Sequence, residues 1–239
     1  MFKLSHSSMS TYRECPMKWK IKYVDKVPEK PKKHFSLGSS VHSALEKMYR
    51  VDACPHVDLV LAELDAEWIS AGYRDAKEEA KYKAEAVRML RAFHAAEPPH
   101  WRRPLAVEAE FSFRVNHVEV RGFIDRVDLE PDGTLTVVDY KTGRELEPGR
   151  AEEDDQLTMY QLACGALFPD IPVGLLAFCH VPTASWQRCG PRPPERLRAL
   201  EAEVVATHAA IVRGEFRERP SAQSCQWCDY KALCPAWRP

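Results

Sequence analysis

Residues 122 to 143, GFIDRVDLEPDGTLTVVDYKTG, hold three side chains whose types and spacing could do hydrolytic chemistry: Asp125, Asp139 and Lys141. The segment reads as two strands joined by Pro131-Asp132-Gly133, a three-residue hairpin loop with a glycine for the left-handed position. If Glu130 pairs with Thr134, counting outward sets Val127 against Val137 and Asp125 against Asp139. Side chains alternate along a strand, so Asp139 and Lys141 share one face while Val138 and Tyr140 point to the other. Two carboxylates and an ammonium then meet on one side of the hairpin, the carboxylate-bearing carbons roughly 5 Å apart. Facing carboxylates raise each other's pKa unless a cation sits between them. Mg²⁺ or Mn²⁺ prefers such oxygen ligands, and it polarises a phosphoryl oxygen and lowers the pKa of a coordinated water. Lys141 could orient that water or stabilise charge building on a scissile phosphate. The bland alternative is an exposed hairpin whose cross-strand charges are neutralised by Lys141.

Two further groups of residues could bind metal. In SLGSSVHSALEKMY, Gly38 precedes His42 by four and Glu46 follows by four, placing all three on one helical face. Glycine admits close backbone approach, and imidazole is a good metal ligand, although a lone helical histidine is more often simply packed. The second group is sulfur. Eight cysteines without a secretory signal argue against a disulfide framework. Cys54, Cys164, Cys179 and Cys189 are scattered and read as small buried hydrophobes. Cys225, Cys228 and Cys234 form C-x2-C-x5-C near the end of the chain, and Cys15 stands in YRECPMKW near its start. Three clustered thiols and a distant fourth complete a four-ligand site, and by spacing both zinc and a [4Fe–4S] cluster remain open. Glu108 and Glu110 share a face of the preceding strand and could add contacts to a metal or to its ligands, but surface strands commonly show that alternation, so both stay outside the predicted site.

The elements that must position these residues follow from pattern. A helix capped by Ser8 or Ser10 runs through Met17–Tyr23 and ends before Pro28; a second covers about Gly38 to Tyr49. Two more fall near Val57–Ala71 and Glu78–Ala95. Segments 105–115, 118–129 and 134–141 read as strands, Asp154–Phe168 as a helix, 172–181 as an apolar strand and 194–213 as a long helix. Helices around a small mixed sheet make the chain α/β, bordering on α+β. The 239 residues can form a single domain, with 1–37 and 214–239 as a cysteine-stapled subregion around a core of 38–213. Net charge is −1, so the whole chain does not advertise a polyanion partner. The Arg13–Lys33 stretch, dense in lysine with Trp19 and Tyr23 interleaved, reads either as a solvated helix face or as the wall of a nucleic-acid groove. No apolar run approaches the roughly 20 residues of a membrane span, and a cytoplasmic location is expected.

Taken together the motifs resemble the RecB-like PD-(D/E)xK nucleases, including the CRISPR-associated RecB-like exonucleases and AddB-type nuclease domains. GSSVH resembles the G-x-x-x-H motif, GFIDRVD the G-x-x-D-R-x-D motif, VVDYKTG the D-x-K signature and DDQLTMYQLA the Q-x-x-x-Y motif. The resemblance implies a restriction-endonuclease-like core and a Mg²⁺- or Mn²⁺-dependent deoxyribonuclease, expected to be an exonuclease, serving DNA repair, recombination or CRISPR-type processing. His42, Asp125 and Asp139 carry over as metal ligands and Lys141 as the catalytic lysine. Gln156 and Tyr160 carry over as residues lining the DNA path. Cys15, Cys225, Cys228 and Cys234 match the iron–sulfur members, favouring [4Fe–4S] over zinc. DNA, single-stranded or as duplex ends, is the expected partner, together with a helicase or CRISPR integrase. The alternative is an end-recognition subunit of such a complex with little activity alone.

Overall fold

The computed structural model describes residues 2–97 and 101–237. Its elements run α1 (His6–Glu14), α2 (Pro16–Tyr23), α3 (Lys33–Tyr49), α4 (Val57–Ala66), α5 (Ala76–Ala96), β1 (Ala106–Val115), β2 (Val118–Leu129), β3 (Leu135–Lys141), α6 (Arg150–Glu153), α7 (Asp155–Leu167), β4 (Val173–His180), β5 (Ser185–Cys189), α8 (Pro194–Val212) and α9 (Ala222–Gln226). The five strands form one sheet in the order β1-β2-β3-β4-β5. β2 and β3 are antiparallel, β3 and β4 parallel, β4 and β5 antiparallel. The parallel pair requires a crossover, which α7 supplies. This is the mixed sheet with flanking helices expected of an α/β chain.

The chain divides into two compact units. Met1–Lys30, Ser112–Gly122 and Pro193–Pro239 form one; Pro31–Phe111 and Phe123–Arg192 form the other. In the larger unit β3 is buried from Leu135 to Tyr140, as a central strand covered on both faces should be. Val138 and Tyr140 join a core with Leu37, Val41, Ala44, Leu45 and Met48 of α3 and with Leu90 and Phe93 of α5. The α3 residues recur at helical spacing, giving one apolar stripe. Asp139 points the other way, toward the layer that holds α7.

The hairpin has the expected register. Val127 lies against Val137, the Glu130 N–H donates to the Thr134 carbonyl at 2.8 Å, and Gly133 takes φ +83°. Helix α3 starts at Lys33 instead of Gly38, a full turn early, and α4 stops at Ala66. β5 and α6 have no counterpart in the sequence reading, being too short for a period to show.

In the smaller unit, extended Cys15 separates α1 from α2, with Pro16 opening the second helix. The two ends of the chain meet through the protein itself. Trp19 stacks on Phe216 at 5.9 Å, Tyr12 donates to the Glu215 carbonyl at 2.6 Å, and Tyr230 donates to the Val27 carbonyl at 3.0 Å.

Candidate active site

His42 is brought to the hairpin by a close helix–strand approach. A Cβ on Gly38 would lie 3.1 Å from the Thr142 hydroxyl, a tight contact, so α3 passes close to the end of β3 at this glycine. One turn on, His42 Nδ1 stands 3.4 Å from Asp125 Oδ2, and that same oxygen accepts a hydrogen bond from the Tyr140 N–H at 2.7 Å. The third member of the group is Glu108. One ligand atom from each of His42, Glu108 and Asp125 lies within 4.8 Å of the others. Glu108 achieves this with a left-handed backbone, φ +45°, in the middle of β1. A non-glycine residue in that conformation inside a strand is uncommon and costs energy that the surroundings must offset. In the sequence Glu108 is marked only by the face it shares with Glu110, which admits a metal contact without singling it out, and nothing local announces the irregular backbone.

Asp139 and Lys141 form a second, adjoining arrangement. Lys141 Nζ lies 2.6 Å from Asp139 Oδ2 and donates to Gln156 Oε1 at 2.8 Å. Gln156 Nε2 donates to the Tyr160 hydroxyl at 2.8 Å, and that hydroxyl donates to Asp139 Oδ1 at 3.2 Å. The four side chains thus close a ring. Gln156 and Tyr160 meet the Asp139–Lys141 pair directly, and Tyr160, 5% exposed, is inside the protein. Helix α7 is fixed in place for this: Asp154 caps it by accepting from the Gln156 N–H at 2.7 Å, and buried Arg192 donates to Thr158 Oγ1 at 3.1 Å. Behind Lys141, His180 Nε2 faces the Gly143 carbonyl at 3.0 Å and Nδ1 faces Thr183 Oγ1 at 2.7 Å, holding the loop that follows β3.

The opposite side of the hairpin carries a buttress. Arg126, 6% exposed, donates to Asp128 Oδ1 at 2.8 Å and lies 4.2 Å from the centre of the Tyr49 ring. Tyr49 donates to Glu97, and Arg126 Nη1 stands 3.7 Å from the same carboxylate. Arg126 and Asp128 of the GFIDRVD motif are therefore structural neighbours of the site, facing away from it.

Crowded anions set the electrostatics. Burial, then the Asp125 charge, pushes Glu108 up to about 7. Asp139 is raised for the same two reasons, with Lys141 and His42 pulling back. For His42 burial works downward, but Asp125, Asp139 and Glu108 together carry it up to about 9. Asp139 Oδ2 is buried and lacks an aligned hydrogen-bond donor; the nearby Lys141 ammonium attracts it without hydrogen-bond geometry. Carboxylates that repel one another, with an imidazole among them and an under-satisfied carboxylate oxygen beside them, fit a hard divalent cation.

Comparison with known proteins now decides the family. The family model described as the PD-(D/E)XK nuclease superfamily matches residues 3–235. The chain belongs to this superfamily. It is therefore a nuclease with a restriction-endonuclease-like α/β fold, and it contains an acidic cluster able to bind a metal ion. It is 26% identical to the Gene 69 protein of Mycobacterium phage D29 over 275 aligned positions, covering 98% of this chain and 97% of that one. It is 32% identical to the Gene 69 protein of Mycobacterium phage L5 over 146 positions, 56% of this chain and 45% of that one. Among solved structures, a protein from Eubacterium rectale described as "Putative exonuclease" shares the fold, with TM-score 0.60, 11% identity and coverage of 99% of this chain and 90% of that one. No helix among the described residues is long and apolar enough to cross a membrane.

The remaining predicted residues lie in the smaller unit. Cys15, Cys225, Cys228 and Cys234 all line one cavity of about 550 Å³, with Lys18 and Arg219 at its wall. The basic Arg13–Lys33 stretch is largely paired: Lys18 with Glu14 at 2.7 Å, Lys20 with Asp25 at 2.8 Å, Lys33 with Glu78 at 2.6 Å, Lys22 with Glu29 and Arg13 with Glu203. Those partners favour the solvated-face reading of the stretch over the groove wall.

Proposed function

We propose that this superfamily nuclease is a Mg²⁺- or Mn²⁺-dependent deoxyribonuclease that hydrolyses DNA phosphodiesters from an end. The observation that carries the reading is that His42 of α3 and Glu108 of β1 converge on Asp125 of the hairpin that also carries the Asp139–Lys141 pair. His42, Asp125 and Asp139 would hold the cation, and Glu108 would add a fourth ligand, its third oxygen donor. When bound, the cation supplies Lewis acidity toward the phosphate and a more acidic water. Lys141, held by Gln156 and paired with Asp139, would offer its ammonium to the phosphate oxygens as negative charge accumulates. Tyr160 keeps Asp139 oriented by donating to its other oxygen. Water adds to phosphorus, the bond to one bridging oxygen breaks, and the departing oxygen takes up a proton. Relatives encoded by mycobacteriophages favour phage DNA processing as the setting. The deciding experiment incubates end-labelled single- and double-stranded DNA with the anaerobically purified chain and Mn²⁺, resolving product length over time. Nucleotide-by-nucleotide shortening supports the reading; intact DNA, or cleavage equally fast in EDTA, overturns it.

The four cysteines support a second group, a [4Fe–4S] cluster. They share one cavity, the Ser221 N–H donates to Cys225 Sγ at 3.4 Å, and Cys228 is pushed up by burial and by neighbouring Cys15 and Cys225 against the pull of Lys18. Brown, iron-containing protein is the expected result of anaerobic purification, and a colourless chain with one zinc would overturn it.

A further inference from the structure

Among the described residues of the larger unit, two phenylalanine, tyrosine or tryptophan rings are exposed: Phe35 at 59% and Phe123 at 52%. Both fall on surfaces that carry the site. Phe35 precedes His42 by seven residues on α3, almost two full turns, so the two project along one stripe with Ser39 between them. That stripe is the outward face of the helix, opposite the one packed in the core. Phe123 precedes Asp125 by two residues on β2, and strand alternation puts both side chains on the same face. Ile124, between them, points the other way and is fully buried.

A large apolar ring left in water forgoes the burial that the other aromatics of this unit obtain. One such ring would be ordinary surface. Two, one on the helix that supplies His42 and one on the strand that supplies Asp125, call for a ligand with flat apolar faces. Phe35 also carries a cation, since Lys32 Nζ lies 6.0 Å from its ring centre, and the His34 ring centre is 4.4 Å away. A flat face beside a positive charge matches a nucleobase attached to its phosphate. Bases inside a duplex are already stacked and cannot offer their faces to a side chain.

We propose that Phe35 and Phe123 stack unpaired bases on the two sides of the phosphate at the site, making single-stranded DNA the preferred substrate. This rests on the nuclease reading above and names its substrate class. Because every base has a π face, the grip would be indifferent to sequence.

The test uses the full chain carrying Asp139→Asn, so that binding is read with little turnover, in Mg²⁺ and with a fluorescent oligothymidylate. Phe35→Ala and Phe123→Ala should each raise the Kd about tenfold, and an oligonucleotide abasic throughout should bind the parent as weakly. Phe35→Trp should restore affinity, with its indole fluorescence quenched on binding. Unchanged Kd in both alanine variants, or an equal loss with the abasic strand, would overturn the stacking role. Cleavage by the native chain is measured in parallel. Native protein that degrades DNA while both alanine variants bind normally sinks the stacking inference alone. Native protein that neither binds nor degrades DNA sinks the nuclease reading with it.

Discussion

The two candidate metal sites of this chain are opposites in donor and in support. The carboxylate site uses oxygen and imidazole from α3, β1, β2 and β3, elements anchored in the main core. Asp139 is 2% exposed, and its neighbours Val138 and Tyr140 are buried in the layer beneath α3 and α5. The cysteine site uses four thiols, three of them on a five-residue helix and the turns around it, where no residue of α9 is buried. The first is assembled by hydrophobic packing before any cation arrives, and stores charge repulsion as a result. The second has few apolar contacts of its own, so a bound cluster would supply much of its folding free energy.

The sharpest break of that contrast is chemical. Asp139→Ala should lower DNA cleavage by about 10³-fold or more while the apo protein melts no lower than the native one, since a repelling charge has gone. A cleavage rate near the native value would remove Asp139 from the reaction. Lys141→Ala should reduce turnover by about 10²–10³-fold with much less change in DNA affinity, because its charge matters most as the phosphate gains charge. Parallel losses in kcat and affinity would make it an anchor for the ground state instead.

The cysteine side should answer differently. Cys15→Ser is expected to lose iron and melting temperature together, each kcal/mol being worth roughly 2–4 °C in a chain this long. Cys54→Ser should keep both. Full iron retention by the Cys15 variant, measured by ferrozine assay, would remove the fourth ligand and the stapling of the two chain ends.

A smaller effect comes from pH. Glu108 and His42 both have folded-state pKa values above their ordinary ones, at about 7 and about 9. Each therefore binds its proton more tightly when folded, contributing stability that is present at low pH. That contribution is lost as pH rises through about 7 for Glu108 and about 9 for His42. Apo protein should melt at progressively lower temperature from pH 6 to 9, while the stabilisation added by Mn²⁺ grows over the same range as protons cease to compete. A Mn²⁺ increment independent of pH, read by differential scanning fluorimetry, would place the cation away from these two groups. Glu108→Gln should weaken Mn²⁺ binding about tenfold by calorimetry, the smallest of these changes.

Much of the site was legible in the chain because it lies on local periodicities. The Pro131-Asp132-Gly133 loop sets the hairpin register, observed from Leu129–Leu135 to Arg126–Val138, and the strands carry Asp125 and Asp139 just beyond its last pair. Spacing of four along a helix puts Gly38 beside His42, and the same spacing puts Gln156 beside Tyr160. Those relations involve residues close in sequence, where backbone geometry alone decides which side chains are neighbours. Glu108 joins the site only through a left-handed residue inside β1, a strain that the surrounding packing enforces and that no local pattern encodes. The Lys141–Gln156–Tyr160–Asp139 ring likewise needs the crossover that lays α7 on the β3–β4 pair, with Arg192 holding its start from far along the chain. Sequence determined which side chains share a face of a strand or helix; only the tertiary structure decided which faces meet, because that depends on burying apolar surface contributed by the whole core.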